Sequence, residues 1–191
     1  TFISGSPARP APKGSLGYPQ PGRRIAILAE DGTPTAQGET GILAIHRSDP
    51  GLMLGYLADQ TPDLPLVEEW FVTGDLVSQT PEGALDYHGR RIDLLTTGGF
   101  RIAPLEIEAA FQDAPDLGDC AALALPVKAE TEVIALAYSG TASPDTLAAL
   151  ASTRLARYKH PRLYIPLPAL PRTANGKLDR RALAQLLKDR P

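Results

Sequence analysis

Three polar segments of the chain carry residue types whose spacing could do chemistry, and the first lies at residues 70–76. There an apolar run ends in Gly74 and Asp75. The glycine lets the backbone turn, and the acid then points away from the end of the strand. A carboxylate in that position can accept both hydroxyl groups of a ribose. The alternative is a turn aspartate that accepts neighbouring backbone N–H groups.

The second segment, residues 89–108, is rich in glycine and arginine. Gly98 and Gly99 allow a tight hairpin or the close approach of a narrow ligand to bare backbone, and Arg90 and Arg101 offer forked donors that suit hydroxyl groups or phosphate. The alternative is a plain β-hairpin with surface arginines that leads into a helix. Local physics alone favours this alternative.

The third segment, residues 171–180, has almost nothing apolar to bury and places Lys177 after an Asn-Gly turn, directly before a predicted helix. The positive end of that helix lies behind the amine, which can therefore reach an anion. The segment is not a phosphate-binding Walker loop, because the required earlier glycine is absent and Leu178 occupies the position of the required hydroxyl residue. The alternative is an exposed lysine that only aids solubility.

The elements that must position these residues differ between the two halves of the chain. Up to His88, short apolar stretches recur at intervals of about ten residues, with Gly and Pro between them and no helical periodicity. This pattern predicts a small antiparallel β-barrel or sandwich. The predicted strands are residues 24–28, 41–45, 52–57, 70–73 and 84–87.

After Arg90 the pattern becomes mixed. We therefore predict a β-barrel subdomain over residues 1–90 and an α+β domain over residues 91–191. One predicted helix has Pro104 in its first turn. A second is capped by Ser143, which is followed by Pro144 and Asp145, and a third covers residues 178–188. Strands are predicted at residues 120–127, 133–139 and 162–167. The predicted inward residues of the helices are Ile107, Ala110 and Phe111; Leu147, Leu150, Ala151 and Leu155; and Leu178, Ala182, Leu183, Leu186 and Leu187.

The composition is that of an ordinary globular chain of 191 residues, 43% of them apolar and 21% charged. No apolar run approaches the roughly 20 residues of a membrane helix, and the single cysteine, Cys120, fits a reducing cytoplasm. The net charge is −3, yet the last 40 residues carry 10 Lys or Arg against two Asp. This excess favours either a phosphate-rich partner or a solvated basic face. Aromatic residues are not interleaved with the basic ones, so we expect no nucleic-acid partner.

Taken in order, the three segments resemble the adenylate-forming enzymes, which comprise acyl-CoA synthetases, peptide-synthetase adenylation domains and beetle luciferases. The resemblance rests on residues 73–75, 89–90, 98–102, 106–108 and 171–177, with further similar strings at residues 14–19, 38–41, 55–56 and 155–161. It implies the last third of such an enzyme, and the phosphate loop that the family uses for ATP and magnesium does not occur in this sequence. The first residue, Thr1, is not methionine, and we expect a fragment whose N-terminal domain is missing.

The resemblance also implies roles for single residues. Asp75 and Arg90 match the positions that hold the ribose of AMP, Lys177 matches the lysine that bridges the substrate carboxylate and the α-phosphate, and Gly99 and Arg101 match positions along the CoA path. The hinge position, where the family usually has Asp or Lys, is Ile92.

The resemblance implies an ATP-dependent acyl- or aryl-CoA ligase that acts on a small carboxylate. It implies ATP and CoA as co-substrates and Mg²⁺ as a cofactor. Alternatives are a peptide-synthetase adenylation domain and a non-catalytic nucleotide-binding fragment. We expect the isolated chain to be inactive.

Overall fold

The computed structural model describes residues 2–55, 64, 66–128 and 131–188, and the chain divides into two compact units, Thr1–Ile92 and Asp93–Pro191. The first unit is one antiparallel sheet of seven strands in the order β1-β2-β7-β6-β4-β3, with β5 paired to β6. The strands are β1 (Ile3–Ser4), β2 (Ser15–Pro19), β3 (Ile25–Leu28), β4 (Gly41–His46), β5 (Leu66–Val67), β6 (Trp70–Gln79) and β7 (Leu85–Arg90).

This sheet differs from the predicted barrel in two respects. Within the described residues its outer strands β1 and β3 do not pair with each other, so the sheet is curled and open. The predicted strand 52–57 is not formed over residues 52–55, and its remaining residues lie outside the described part. Pro50 and Gly51, directly before that stretch, lie in a turn, and proline cannot donate to a strand ladder. A small apolar cluster centred on Leu43, Val77 and Leu85 covers one face.

The loop after β4 is held by a buried carboxylate, that of Asp49. The side chain of Asp49 has 0% exposure. It accepts hydrogen bonds from Nη1 of Arg23 at 3.0 Å and from the backbone N–H groups of Arg24 and Gly51 at 2.5 and 2.7 Å. Burial by itself raises the pKa of Asp49, but these donors together hold that pKa below its ordinary value.

The second unit packs helices on both faces of a three-stranded sheet. Its elements are β8 (Leu95–Thr97), β9 (Phe100–Ile102), α1 (Pro104–Ala109), β10 (Leu117–Lys128), β11 (Thr131–Gly140), α2 (Pro144–Arg154), β12 (Leu163–Pro166) and α3 (Arg180–Lys188). The sheet has the order β10-β11-β12; β10 and β11 are antiparallel, whereas β11 and β12 are parallel. A separate hairpin joins β8 to β9. The mixed fold expected for this half is confirmed.

Side chains of the central strand β11 alternate between two apolar clusters, as the pleat of a strand requires. Leu136 and Tyr138 face a cluster that holds the β8–β9 hairpin, α1 and α2. Ala135 and Ala137 face a second cluster that holds α3 and the segment before it. The hairpin and α3 therefore pack against opposite faces of the same sheet.

The helix starts follow local sequence. Ser143 caps α2, and its Oγ accepts the N–H of Thr146 at 3.1 Å, which confirms the predicted cap. The predicted inward face of α3 is wrong in two places, because Ala182 and Leu186 are exposed whereas Leu183 and Leu187 are buried. Asp179 precedes the helix and accepts the N–H of Ala182 at 2.9 Å. Among the described residues, no helix is both long and apolar enough to cross a membrane.

Candidate functional site

Asp75 and Arg90 lie directly opposite each other on the paired strands β6 and β7. Nε of Arg90 is 3.3 Å from Oδ1 of Asp75, and the two side chains are 59% and 30% exposed. The pair presents acceptors and donors to solvent side by side. This arrangement suits a vicinal diol, whose two hydroxyl groups can each donate to the carboxylate.

The backbone that carries Asp75 is fixed by its neighbours rather than by its own carboxylate. Thr73 donates its hydroxyl to the carbonyl of Leu43 at 2.8 Å and accepts the N–H of Asp75 at 3.1 Å. Gly74 between them has a φ of 81°, a left-handed conformation that favours glycine. The carboxylate is therefore available for a ligand without loss of the turn.

Gly98 and Gly99 form the two-residue turn of the β8–β9 hairpin. Their φ angles are 57° and 82°, and among the described residues no heavy atom other than those of the glycine and its chain neighbours lies within 4 Å of a Cβ built on either residue. Within this unit, turn geometry rather than lack of space explains the two glycines. Arg101 follows in β9, opposite Thr96, and is exposed. The hairpin that local physics favoured is thus confirmed, and the two residues at its tip are exposed.

An open cavity of about 220 Å³ adjoins this hairpin. One wall is an aromatic pair, Phe100 and Tyr158, whose ring centroids are 4.4 Å apart with the planes 24° from parallel. The lining residues are Thr97, Gly98, Phe100, Glu132, Val133, Ile134, Tyr158, His160 and Arg162. Tyr158, His160 and Arg162 carry no predicted role, although the similar string at residues 155–161 contains the first two.

Lys177 lies in a tight turn ahead of α3. The N–H of Thr173 donates to the carbonyl of Lys177 at 2.7 Å, and the N–H of Gly176 donates to the carbonyl of Thr173 at 2.8 Å. The side chain of Lys177 is exposed, and within the described part of the chain its amine has no carboxylate or hydrogen-bond partner. The helix that follows begins two residues later than expected, and the Asp179 carboxylate already occupies its positive end.

A second ion pair, between Glu108 of α1 and Arg180 of α3, was missed by the sequence analysis. The two groups approach to 2.8 Å with 12% and 24% exposure. Glu108 also accepts the N–H of Ala122 at 2.8 Å, and Arg180 donates to the carbonyl of Ala122 at 3.1 Å. Because Ala122 is on the outer strand β10, the two side chains take the place of a further strand there. Because the two residues are 72 positions apart, no local sequence pattern indicates that they pair.

The six predicted site residues therefore lie in four separate places. Asp75 and Arg90 form one pair in the first unit. Gly99 and Arg101 share the hairpin on one face of the second unit's sheet, and the segment with Lys177 packs against the other face. Ile92, in a short 3₁₀ turn at residues 91–93, is the last residue of the first unit and is 77% exposed.

No set of three His, Cys, Asp or Glu side chains that could hold a metal ion occurs among the described residues.

Comparison with known proteins identifies the family of the chain. Residues 106–177 match the AMP-binding enzyme C-terminal domain. An uncharacterized acyl–CoA ligase of Bacillus subtilis is 30% identical over 90% of this chain and 34% of its own length, and an L-proline–[L-prolyl-carrier protein] ligase of Pseudomonas fluorescens is 35% identical over 89% and 33%. The chain spans about a third of the length of these relatives.

Solved structures agree. An anthranilate CoA ligase in complex with anthranoyl-AMP has a TM-score of 0.82 at 25% identity, with 98% of this chain and 38% of that chain covered. The o-succinylbenzoate CoA synthetase of Bacillus subtilis with its acyl-adenylate intermediate has a TM-score of 0.79 at 29% identity, with 93% and 36% covered. The chain therefore belongs to the adenylate-forming, AMP-binding enzyme family and represents its C-terminal portion.

Proposed function

We propose that the chain is part of an ATP-dependent ligase that converts a small carboxylic acid to an acyl-adenylate and then to a CoA thioester. In the first step a carboxylate oxygen attacks the α-phosphorus of ATP, the bond to the β-phosphate oxygen breaks, and pyrophosphate leaves. In the second step a thiol sulfur attacks the acyl carbonyl, the thiol proton is lost, and AMP leaves.

The first step needs groups that hold the nucleotide and stabilise charge on the transferring phosphorus. The pair formed by Asp75 and Arg90 supports the first role, because its partly exposed carboxylate can accept the ribose hydroxyls. The unpaired amine of Lys177 supports the second role, since a mobile cation is most useful where negative charge accumulates.

The observation that carries the proposal is the placement of Lys177 and the Gly98–Gly99 hairpin on opposite faces of one sheet. A single reaction centre can meet only one of these faces at a time. Two steps that each need one face therefore require the second unit to turn, and we assign the pivot to exposed Ile92 at the boundary between the units.

The acceptor of the acyl group is proposed to be CoA. The cavity beside the hairpin supports this choice, because its exposed aromatic pair offers a stacking surface and Arg162 lies at its rim. A carrier-protein thiol is the second candidate, favoured by the 35% identity to the prolyl-carrier protein ligase. Thioester formation with free CoA by the intact protein distinguishes the two.

Pyrophosphate exchange tests the first step. The intact protein is assayed with anthranilate, o-succinylbenzoate, L-proline and other small acids, and the best substrate is used for variants. We expect Lys177→Ala to lower the exchange rate about 100-fold. Lys188→Ala is the matched control, because it removes another exposed lysine of the same unit and is expected to leave the rate unchanged. Equal loss in both variants would contradict the role of Lys177.

A further inference from the structure

We propose that Arg172 is a positioning residue that fixes the turn carrying Lys177 for the first step of the reaction. The inference rests on the proposed function of Lys177. It follows from the contacts of Arg172 with the residue directly before Lys177 and with the sheet beneath.

The turn is closed by backbone bonds within it, and Leu178 at its end packs against the second apolar cluster. An isolated β-bridge joins Arg172 to Leu178, and Thr173 and Lys177 are linked by the N–H···O bond described above. These contacts set the shape of the turn. They do not set its orientation relative to the sheet, because all of them lie within the turn.

Arg172 adds a polar link between the tip of the turn and the sheet. Its Nη1 donates to the carbonyl of Gly176 at 2.8 Å, and its Nη2 is paired with the carboxylate of Asp119 on β10. Asp119 is itself held to β11, since its backbone N–H donates to Oγ of Ser139 at 2.9 Å. One planar guanidinium therefore bridges the tip of the turn and the sheet, which a flexible ammonium could not do with the same geometry.

The exposure of this pair indicates that its role is local. The Arg172 and Asp119 side chains are 48% and 55% exposed, and ion pairs with such exposure contribute little to global stability. Removal of the anchor should leave the fold intact and loosen the turn. A misplaced amine at a reaction centre lowers the rate of the step that uses it.

The chain offers a closely matched control in Arg154. This arginine also donates to one backbone carbonyl, that of Ala110 at 2.8 Å, and also pairs with one aspartate, Asp113. Its side chain is 36% exposed. It differs from Arg172 in having no contact with the turn that carries Lys177.

The experiment compares Arg172→Gln, Asp119→Asn and Arg154→Gln in the intact protein. We expect Arg172→Gln to lower pyrophosphate exchange about tenfold and Asp119→Asn to lower it about threefold, whereas Arg154→Gln stays within about twofold of wild type. Thioester formation from preformed acyl-adenylate should be unchanged in all three. Hydrogen–deuterium exchange of peptides covering residues 172–178 should become faster only in the first two variants.

Several outcomes would overturn the inference. If Arg172 acted only through its charge, Arg172→Gln would lower the pyrophosphate exchange rate, whereas Asp119→Asn, which removes a negative charge, would raise it. Equal loss in both half-reactions would indicate general destabilisation, and loss in Arg154→Gln would do the same. If wild type shows no pyrophosphate exchange with any acid, the proposed function fails. The deuterium measurement then still decides whether Arg172 anchors the turn.

Discussion

The substitution Asp75→Asn should separate nucleotide binding from folding. The exposed ion pair with Arg90 contributes at most about 1 kcal/mol to stability, and the turn is held independently by Thr73. We therefore expect the free energy of unfolding to change by less than about 1 kcal/mol. The carboxylate is proposed to accept two ribose hydroxyls, and hydrogen bonds to a charged group contribute about 1.5–3 kcal/mol each.

Asparagine keeps one acceptor oxygen and loses the charge, so the expected cost is that of about one such bond. This corresponds to AMP binding that is weaker by about 10- to 100-fold. The assay is titration calorimetry of the intact protein with AMP and with 2′,3′-dideoxy-AMP. The dideoxy nucleotide should bind wild type and variant with nearly equal affinity, because it lacks both hydroxyls. An equal loss for both nucleotides, or a loss below about threefold for AMP, would refute the assignment of Asp75 to the ribose.

Two further predictions concern groups outside the proposed reaction. Asp49→Ala leaves the N–H groups of Arg24 and Gly51 without their acceptor and should cost about 2 kcal/mol or more in urea unfolding. Because the pKa of Asp49 is lowered in the folded state, the carboxylate stabilises the fold at neutral pH. The difference in the free energy of unfolding between wild type and variant should therefore become smaller as the pH falls below about 4. A difference that does not depend on pH would contradict this. Burial, with a smaller contribution from Glu108, raises the pKa of the Cys120 thiol to about 12. Iodoacetamide at pH 8 should therefore alkylate Cys120 at least tenfold more slowly in the folded than in the urea-unfolded protein, and equal rates would contradict the burial.

The local features of this fold could be predicted from the sequence because each depends on a few neighbouring residues. The Ser143 cap and the Gly98–Gly99 turn are examples, since a cap and a two-residue turn are specified within four positions. The α3 face was predicted less well. The predicted face was too wide, because it included Ala182 and Leu186, which lie beside the buried residues Leu183 and Leu187 but are exposed.

The long-range contacts could not be predicted. The bond between Arg172 and Asp119 spans 53 positions, and the sequence shows two charged residues with nothing to connect them. The burial of Asp49 could not be predicted either, because a buried carboxylate and an exposed turn aspartate have the same sequence context. The roles of the site residues came from the resemblance, and the structure adds that the hairpin and the Lys177 turn pack on opposite faces of one sheet.

The central claim is that these two faces serve different steps. Single-turnover measurement of both half-reactions in Lys177→Ala and Gly99→Leu, each made in the intact protein, tests it most directly. The account predicts that Lys177→Ala slows acyl-adenylate formation about 100-fold and leaves thioester formation from preformed acyl-adenylate nearly unchanged, with the reverse pattern for Gly99→Leu. Parallel loss of both steps in both variants would contradict it.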